Sequence, residues 1–343
     1  MSIELISPLK FTGIALFIFL LSWVSIYLYI RIAIKQEILA SPNSRTLHDS
    51  ATPSGGGVVF SFFFLICIFL MWVLGLLSSK LIIIIGIGSF FASILGFLDD
   101  KNNLKAGKKF FFQIIISSLA LFFLDWGPLF YIDSIPNFIA IPVSVIFLVW
   151  VVNAYNFMDG VDGMAASGAL FASIAVSFTM ILMGNFSEVT IVLLLLALII
   201  SAFLVFNWPP ASIFMGDSGS IFLGHIFGVL VFYSTMSHEI SIWTWVIVFG
   251  YFIADTSVTQ FLRLVLVKKW YLPHRSHAYQ NLARVLGSHS KLTGGLALYN
   301  MLWILPLATW SVLYPEAAIF CSILAVVPGM VLAFIYGPIF SSS

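Results

Sequence analysis

Charge is what this chain has least of. Lys and Arg number 15 and Asp and Glu 14 in 343 residues, so 8% of the sequence is charged where a water-soluble domain carries roughly a quarter. A surface solvated by water over its whole extent is thereby excluded. The formal net charge of +1 leaves no basic footprint for a nucleic acid partner. Cysteine is nearly as scarce: Cys67 and Cys321 each lie inside a long apolar run, with no partner at disulfide or metal-ligand spacing, and both read as packing residues. Internal repeats and low-complexity tracts are also missing, which removes visible support for the inverted symmetry of many transporters. The first apolar stretch, residues 11–30, has no small-residue cleavage site and is followed by Arg31 and Lys35. It reads as a retained membrane helix and not as a leader.

What fills the chain instead is hydrocarbon, with 61% of residues hydrophobic. Crossing ~30 Å of bilayer core as a helix takes ~20 apolar residues. Eleven runs qualify, near residues 11–32, 57–77, 80–98, 110–124, 138–156, 163–183, 189–206, 219–236, 242–266, 293–312 and 317–336. The expected fold is an all-α polytopic membrane protein, a single transmembrane domain over residues 1–343. Turn formers alternate through residues 125–136, which predicts a small hairpin there.

Orientation follows from the basic residues. With the N-terminus outside and the C-terminus cytoplasmic, thirteen of the fifteen Lys and Arg residues fall at cytoplasmic loops or their edges, leaving only Lys10 and Lys80 outside. The same choice gathers Asp99, Asp100, Asp159, Asp162 and Asp217 on the cytoplasmic side, and this convergence predicts a site at that face.

Four clusters carry the chemistry. Asp99-Asp100 closes the third run, and adjacent carboxylates on a helix point to different sides, so one can face a metal or nucleophile while its neighbour is held in a network. The second cluster holds Asn153, Asn156, Asp159 and Asp162 with two Asp-Gly steps; the two amides share a helix face and are costly in an apolar helix without partners. In the third, Asn207 precedes Pro209-Pro210, and Phe214 leads into Gly216-Asp217-Ser218-Gly219-Ser220. A helix opening on that turn aims N–H groups and hydroxyls at an anion, and Asp217 offers a hard oxygen to Mg²⁺; an N-terminal cap is the plainer alternative. The fourth is Pro273-His274-Arg275-Ser276-His277-Ala278-Tyr279-Gln280, whose donors suit a diphosphate or sugar better than zinc, because no cysteine or carboxylate accompanies them.

In this order, and beginning at Pro42-Asn43-Ser44-Arg45-Thr46-Leu47-His48 with Thr52-Pro53-Ser54-Gly55-Gly56-Gly57, the clusters resemble the polyprenyl-phosphate N-acetylhexosamine-1-phosphate transferases over most of the chain. The resemblance implies a multi-pass enzyme of the bacterial inner membrane that moves a sugar phosphate from a UDP-N-acetylhexosamine to undecaprenyl phosphate and releases UMP, with a homodimer as the candidate assembly. It implies Mg²⁺, or Mn²⁺, on Asn156 and Asp217; uridine near Asp162, Asn207 and Phe214; and Lys109 beside the diphosphate. Asp99 and Asp100 match the family's aspartate pair. Asp99 would remove a residual proton, or Asp99 and Asp159 would only order Lys109 and the lipid phosphate; a two-step route through an aspartyl phosphate also stays open.

One motif departs from the family. The branch that handles phospho-MurNAc-pentapeptide carries three consecutive histidines where this chain has His274-Arg275-Ser276-His277, which points away from the peptidoglycan donor. The pattern resembles enzymes that initiate lipopolysaccharide O-antigen or related envelope glycans, with UDP-GlcNAc or a 6-deoxy relative, UDP-FucNAc or UDP-QuiNAc, as donor. The rival from another class is an ion-coupled transporter, for which Asp255, eleven residues before the end of its apolar run and so ~16 Å deep, is the best sequence argument, although Asp255-Thr256 also resembles a family feature and reads first as a buried hydrogen-bonded structural group.

Overall fold

The computed structural model describes residues 8–40, 51–125, 136–267 and 274–341. Thirteen helices with a two-residue strand pair carry the architecture: α1 (Pro8–Lys35), β1 (Leu39–Ala40), β2 (Thr52–Pro53), α2 (Gly56–Val73), α3 (Ser79–Asn102), α4 (Ala106–Phe123), α5 (Asn137–Phe157), α6 (Met164–Leu182), α7 (Glu188–Asn207), α8 (Asp217–Met236), α9 (Ile242–Val248), α10 (Gly250–Leu266), α11 (Ala278–Leu286), α12 (His289–Leu313) and α13 (Pro315–Tyr336). A backbone that meets no water must satisfy its N–H and C=O groups within the segment, which leaves the helix as the form for such apolar runs. Ten of these helices are long and apolar enough to cross a membrane, and α9 with α10 makes an eleventh span bent by 77°. Each expected run therefore becomes a span, and the chain is a multi-pass membrane protein. The hairpin expected at 125–136 falls almost wholly outside the described residues, as do the motif at 42–48 and Pro273.

Burial is graded across the bundle. In α8 83% of the apolar window is buried and in α1 only 22%, so α8 forms the axis and α1 the rim. Leu16, Phe17, Phe62, Phe69 and Phe111 stay exposed, as lipid-facing side chains must. Around α8 stand α2, α3 and α5. Backbones meet where α2 and α8 begin: a Cβ on Gly57 would lie 2.1 Å from the Gly219 nitrogen, so no larger residue fits that crossing. The chain before α2 is stitched to the turn before α8. Phe214 N donates to Pro53 O at 2.8 Å, Gly56 N to Phe214 O at 3.0 Å and Gly57 N to Met215 O at 2.9 Å.

Two stops set the working end. α7 ends at Asn207 before Pro209-Pro210, and α5 ends at Phe157 before the Asp-Gly steps. Together with the end of α3 and the starts of α4, α8, α11 and α12, these place the four clusters at one end of the bundle.

Candidate active site

The centre of the site is an ammonium between two carboxylates. Lys109, on the first turn of α4, puts Nζ 2.5 Å from Asp99 Oδ2 and 2.6 Å from Asp217 Oδ2. These contacts join α3, α4 and α8, and the lysine is largely buried, so the charges interact in a medium far less screening than water. Asn156 completes the group from α5: its Nδ2 donates to Asp217 Oδ1 at 2.9 Å and to Ser220 Oγ at 2.8 Å. Asp99 Oδ1 accepts from Leu104 N at 2.9 Å, which curls the chain after α3 back toward Lys109.

Asp100 works differently from its neighbour. Its two oxygens accept from the N–H groups of Asp217 at 2.8 Å and Ser218 at 3.1 Å, the first two residues of α8. A carboxylate from α3 thus caps another helix, where it satisfies orphan donors and the positive end of the helix dipole. The aspartate pair splits as adjacent helix positions should, with Asp99 in the ion cluster and Asp100 holding the turn that presents Asp217. Close approach makes this geometry feasible: a Cβ on Gly96 would lie 2.2 Å from Asp217 O.

The loop from α5 to α6 links this centre to a second group. Asp162 Oδ2 accepts from Ala211 N at 3.1 Å, its Oδ1 lies 3.4 Å from His289 Nδ1, and its carbonyl accepts from Thr293 Oγ1 at 2.8 Å. Asn207 is buried and used at both ends: Oδ1 accepts from Gly163 N at 3.2 Å and Nδ2 donates to Ile213 O at 2.8 Å. Asp162 and Asn207 thereby brace the loop that carries Phe214, which is half-buried and clamped through both its backbone groups. Asp159 stands beside the centre. Burial, and then the carboxylates of Asp217, Asp100 and Asp162, push its carboxyl well above the ordinary carboxylate range.

A third group comes from residues 274–280. The His274 and His277 rings stack at 5.0 Å and 22°, and Phe157 lies 5.6 Å from His277. Burial, then His277 and Arg263, hold His274 down to about 3, so it enters as a neutral ring and not as a cation; its Nδ1 meets Ser276 Oγ at 2.9 Å. Arg275 is half-buried. Tyr279 OH donates to Phe157 O at 2.8 Å and latches this group to the end of α5, one residue from Asn156.

Three findings go beyond the sequence reading. Asn153 does not reach the ion cluster: its amide exchanges hydrogen bonds with Gln113 at 2.8 and 3.3 Å and fastens α5 to α4. Ser220 and His289 join the site, the first as the i+3 neighbour of Asp217, the second across more than a hundred residues with no local signal. Asp255 lies within the unbroken helix α10, eleven residues before Leu266, and is fully buried with five donors around its carboxylate, a hydrogen-bonded group and not an open ion site.

A cation can be accommodated. Among the described residues no three His, Cys, Asp or Glu side chains form a ready-made metal cage. Asp217 and Asn156 supply two hard oxygen donors at most, which suits Mg²⁺, an ion that completes its shell with substrate phosphates and water. The repulsion borne by Asp159 from three neighbouring carboxylates is of the kind a bound cation relieves.

Comparison with known proteins identifies the family. Residues 82–235, from α3 to α8, match the family described as Glycosyl transferase family 4. The chain is 33% identical over 277 residues to a probable undecaprenyl-phosphate N-acetylglucosaminyl 1-phosphate transferase of Bacillus subtilis, covering 76% of this chain and 73% of that protein. It is also 33% identical over 205 residues to the phospho-N-acetylmuramoyl-pentapeptide-transferase of Petrotoga mobilis, across 54% of this chain and 62% of the relative. The enzyme of the same name from Prochlorococcus marinus is 32% identical over 231 residues, with 61% and 63% covered. Identity of 33% across 73% of the Bacillus subtilis relative, with the family match over residues 82–235, shows that the chain belongs to the polyprenyl-phosphate hexosamine-1-phosphate transferase family.

Proposed function

We propose that the chain transfers N-acetylhexosamine-1-phosphate from a UDP-sugar to undecaprenyl phosphate at the cytoplasmic face of a bacterial inner membrane. An oxygen of the lipid phosphate attacks the β-phosphorus of the donor, the bond to the UMP oxygen breaks, UMP leaves, and a polyprenyl-diphosphate sugar remains. The observation that carries the reading is the Lys109 ammonium held by Asp99 and Asp217 at the end of a transmembrane bundle, where a lipid phosphate and a soluble nucleotide can meet. Phosphoryl transfer gains mainly from positioning and from neutralising charge on the phosphoryl oxygens. A phosphate monoester, with a second pKa of about 6, needs no strong base at neutral pH.

The residues divide the work. Lys109 presents its ammonium to the phosphates, Asp99 keeps it aimed, and Asp100 fixes the turn that carries Asp217. Mg²⁺, with Mn²⁺ as substitute, would be held by Asp217 and Asn156 and would neutralise the diphosphate. Phe214 offers an apolar face to uracil on a loop braced by Asp162 and Asn207, and Arg275 with the two histidines lies on the donor's sugar-diphosphate side. UDP-GlcNAc, or a 6-deoxy relative such as UDP-FucNAc or UDP-QuiNAc, is the proposed donor. The name of the Bacillus subtilis relative supports an N-acetylglucosamine phosphate, and the product would start a cell-envelope glycan such as lipopolysaccharide O-antigen.

Purified protein with Mg²⁺, UDP-GlcNAc and undecaprenyl phosphate is expected to release UMP, with the lipid product identified by mass; no release across a panel of UDP-N-acetylhexosamines would end the proposal. Chelation by EDTA is expected to stop turnover and added Mg²⁺ to restore it, and turnover surviving chelation would remove the metal. Phe214→Ala is expected to raise KM for the UDP-sugar roughly five- to a hundred-fold with a smaller effect on kcat, since stacking one base contributes ~1–3 kcal/mol. An unchanged KM would take Phe214 out of the nucleotide pocket.

A further inference from the structure

We propose that Asp255 is a positioning residue for donor recognition: it holds His277 with the proton on Nδ1, so that Nε2 is left as an acceptor for a hydroxyl of the donor sugar. The inference rests on the reading of residues 274–280 as the donor's sugar side.

Asp255 lies one and a half turns beyond the break at Phe249 and is fully buried. A carboxylate in that setting persists only when its lone pairs are filled. They are: Oδ1 accepts from Thr259 Oγ1 at 3.1 Å, His277 Nδ1 at 3.0 Å and Ala278 N at 3.2 Å, and Oδ2 from Tyr279 N at 2.9 Å and Tyr251 OH at 3.4 Å. Two of these donors are the opening N–H groups of α11, whose N-cap residue, His277, makes no side-chain cap of its own. Capping alone would need only those two.

The bond to His277 adds something a cap does not require. A carboxylate surrounded by donors can only accept, so Nδ1 must carry a proton, and in the neutral tautomer that this bond selects the lone pair is on Nε2. That nitrogen is buried and has no hydrogen-bond partner among the described residues. The ring is held against turning by its stack on His274 and its contact with Phe157, the residue after Asn156. A pinned, oriented acceptor without a partner, on a ring that rests against the residue next to Asn156, is the kind of group that a substrate hydroxyl satisfies.

His277→Asn separates this role from capping, which needs only the Asp255 carboxylate and the α11 N–H groups. Asp255→Asn with its NH₂ turned toward His277 reverses the tautomer and makes Nε2 a donor, and it also gives up Ala278 N, which shares Oδ1 with that ring. In full-length protein labelled with ¹⁵N-histidine, of which the sequence has six, His277 is expected to show Nδ1 protonated and Nε2 bare in the wild type, and the reverse in Asp255→Asn. With UDP-GlcNAc and undecaprenyl phosphate, kcat/KM is expected to fall roughly ten- to a hundred-fold in Asp255→Asn and in His277→Ala, no further in the double variant, with UMP affinity unchanged within about two-fold. His277→Asn, whose amide can copy Nδ1–H but not Nε2, is expected to keep its melting temperature and show the same loss. It keeps the test open should the Asp255 variant fail to fold. A wild-type ring protonated on Nε2, a normal kcat/KM in Asp255→Asn or His277→Asn, additive losses, or a parallel loss of UMP affinity would each overturn the inference. Wild-type protein that released no UMP would count against the proposed reaction, while the nitrogen shifts would still decide the tautomer.

Discussion

Asp217→Asn is expected to cut kcat by about a hundred- to ten-thousand-fold while leaving the protein folded, with a melting temperature within a few degrees of wild type. The substitution keeps shape and one acceptor oxygen, so Asn156 Nδ2, 2.9 Å away, retains a partner. Lys109 retains Asp99 at 2.5 Å, so no charge is stranded in the bundle. What disappears is the negative charge that meets Lys109 and would meet the cation on the diphosphate. Two charge-assisted contacts at ~1.5–3 kcal/mol each amount to ~3–6 kcal/mol in the transition state, at ~1.4 kcal/mol per factor of ten. Stability should move far less, because the first turn of α8 is capped by Asp100 and not by Asp217 itself. Turnover near the wild-type rate would sink the assignment; low turnover with an unfolded protein would instead show that the ion cluster chiefly holds helices together.

Elements dominated by hydropathy were legible without a structure, and elements made by long-range contact were not. Each of the eleven apolar runs becomes a span because bilayer thickness and the helical rise leave little freedom. The break between α9 and α10 left no such mark: residues 242–266 are continuous in hydropathy and contain no proline, and the 77° turn at Phe249 arises where aromatic rings of α8 and α5 crowd it, Phe227 at 5.1 Å and Tyr155 at 6.3 Å. Asp255 keeps the depth that the sequence gives it, because α10 runs unbroken from Gly250 to Leu266, but the identity of its donors depends on the fold. With five donors on one carboxylate there is also no open site for an ion relay, so the transporter's best sequence argument is gone.

The site shows the same division. Lys109, Asn156 and Asp217 come into contact because each stands at a helix end on the same side of the bundle. Asn207 reads from sequence as a nucleotide ligand, yet both ends of its amide are spent on Gly163 and Ile213. Its influence on uridine would pass through the loop it braces. His289 and Asp255 were not placed in the site by the sequence because each acts across the fold on a partner chosen by packing.

Gly96→Ala should be as damaging as removing a catalytic group, although the new methyl touches no substrate. On α3 its Cβ would stand 2.2 Å from Asp217 O, 2.4 Å from Asp217 C and 2.5 Å from Ser218 Cα. All three are backbone atoms of the α8 first turn, so no rotamer change relieves the clash, and carbon contacts settle at ~3.5–4.0 Å. The turn must retreat by about 1 Å. That movement carries Asp217 away from Lys109 and Asn156 and stretches both bonds that Asp100 makes to α8. A misplacement of ~1 Å costs about a hundred-fold in rate, and overpacking adds ~1–3 kcal/mol of destabilisation. The expected result is kcat down about a hundred-fold or more together with a lowered melting temperature. Gly107→Ala is the control, because nothing lies within 4 Å of a Cβ there, and it should leave both quantities unchanged. A Gly96→Ala protein with wild-type kcat would mean that α3 and α8 can part without moving Asp217, and that the aspartate is held by Lys109 and Asn156 alone.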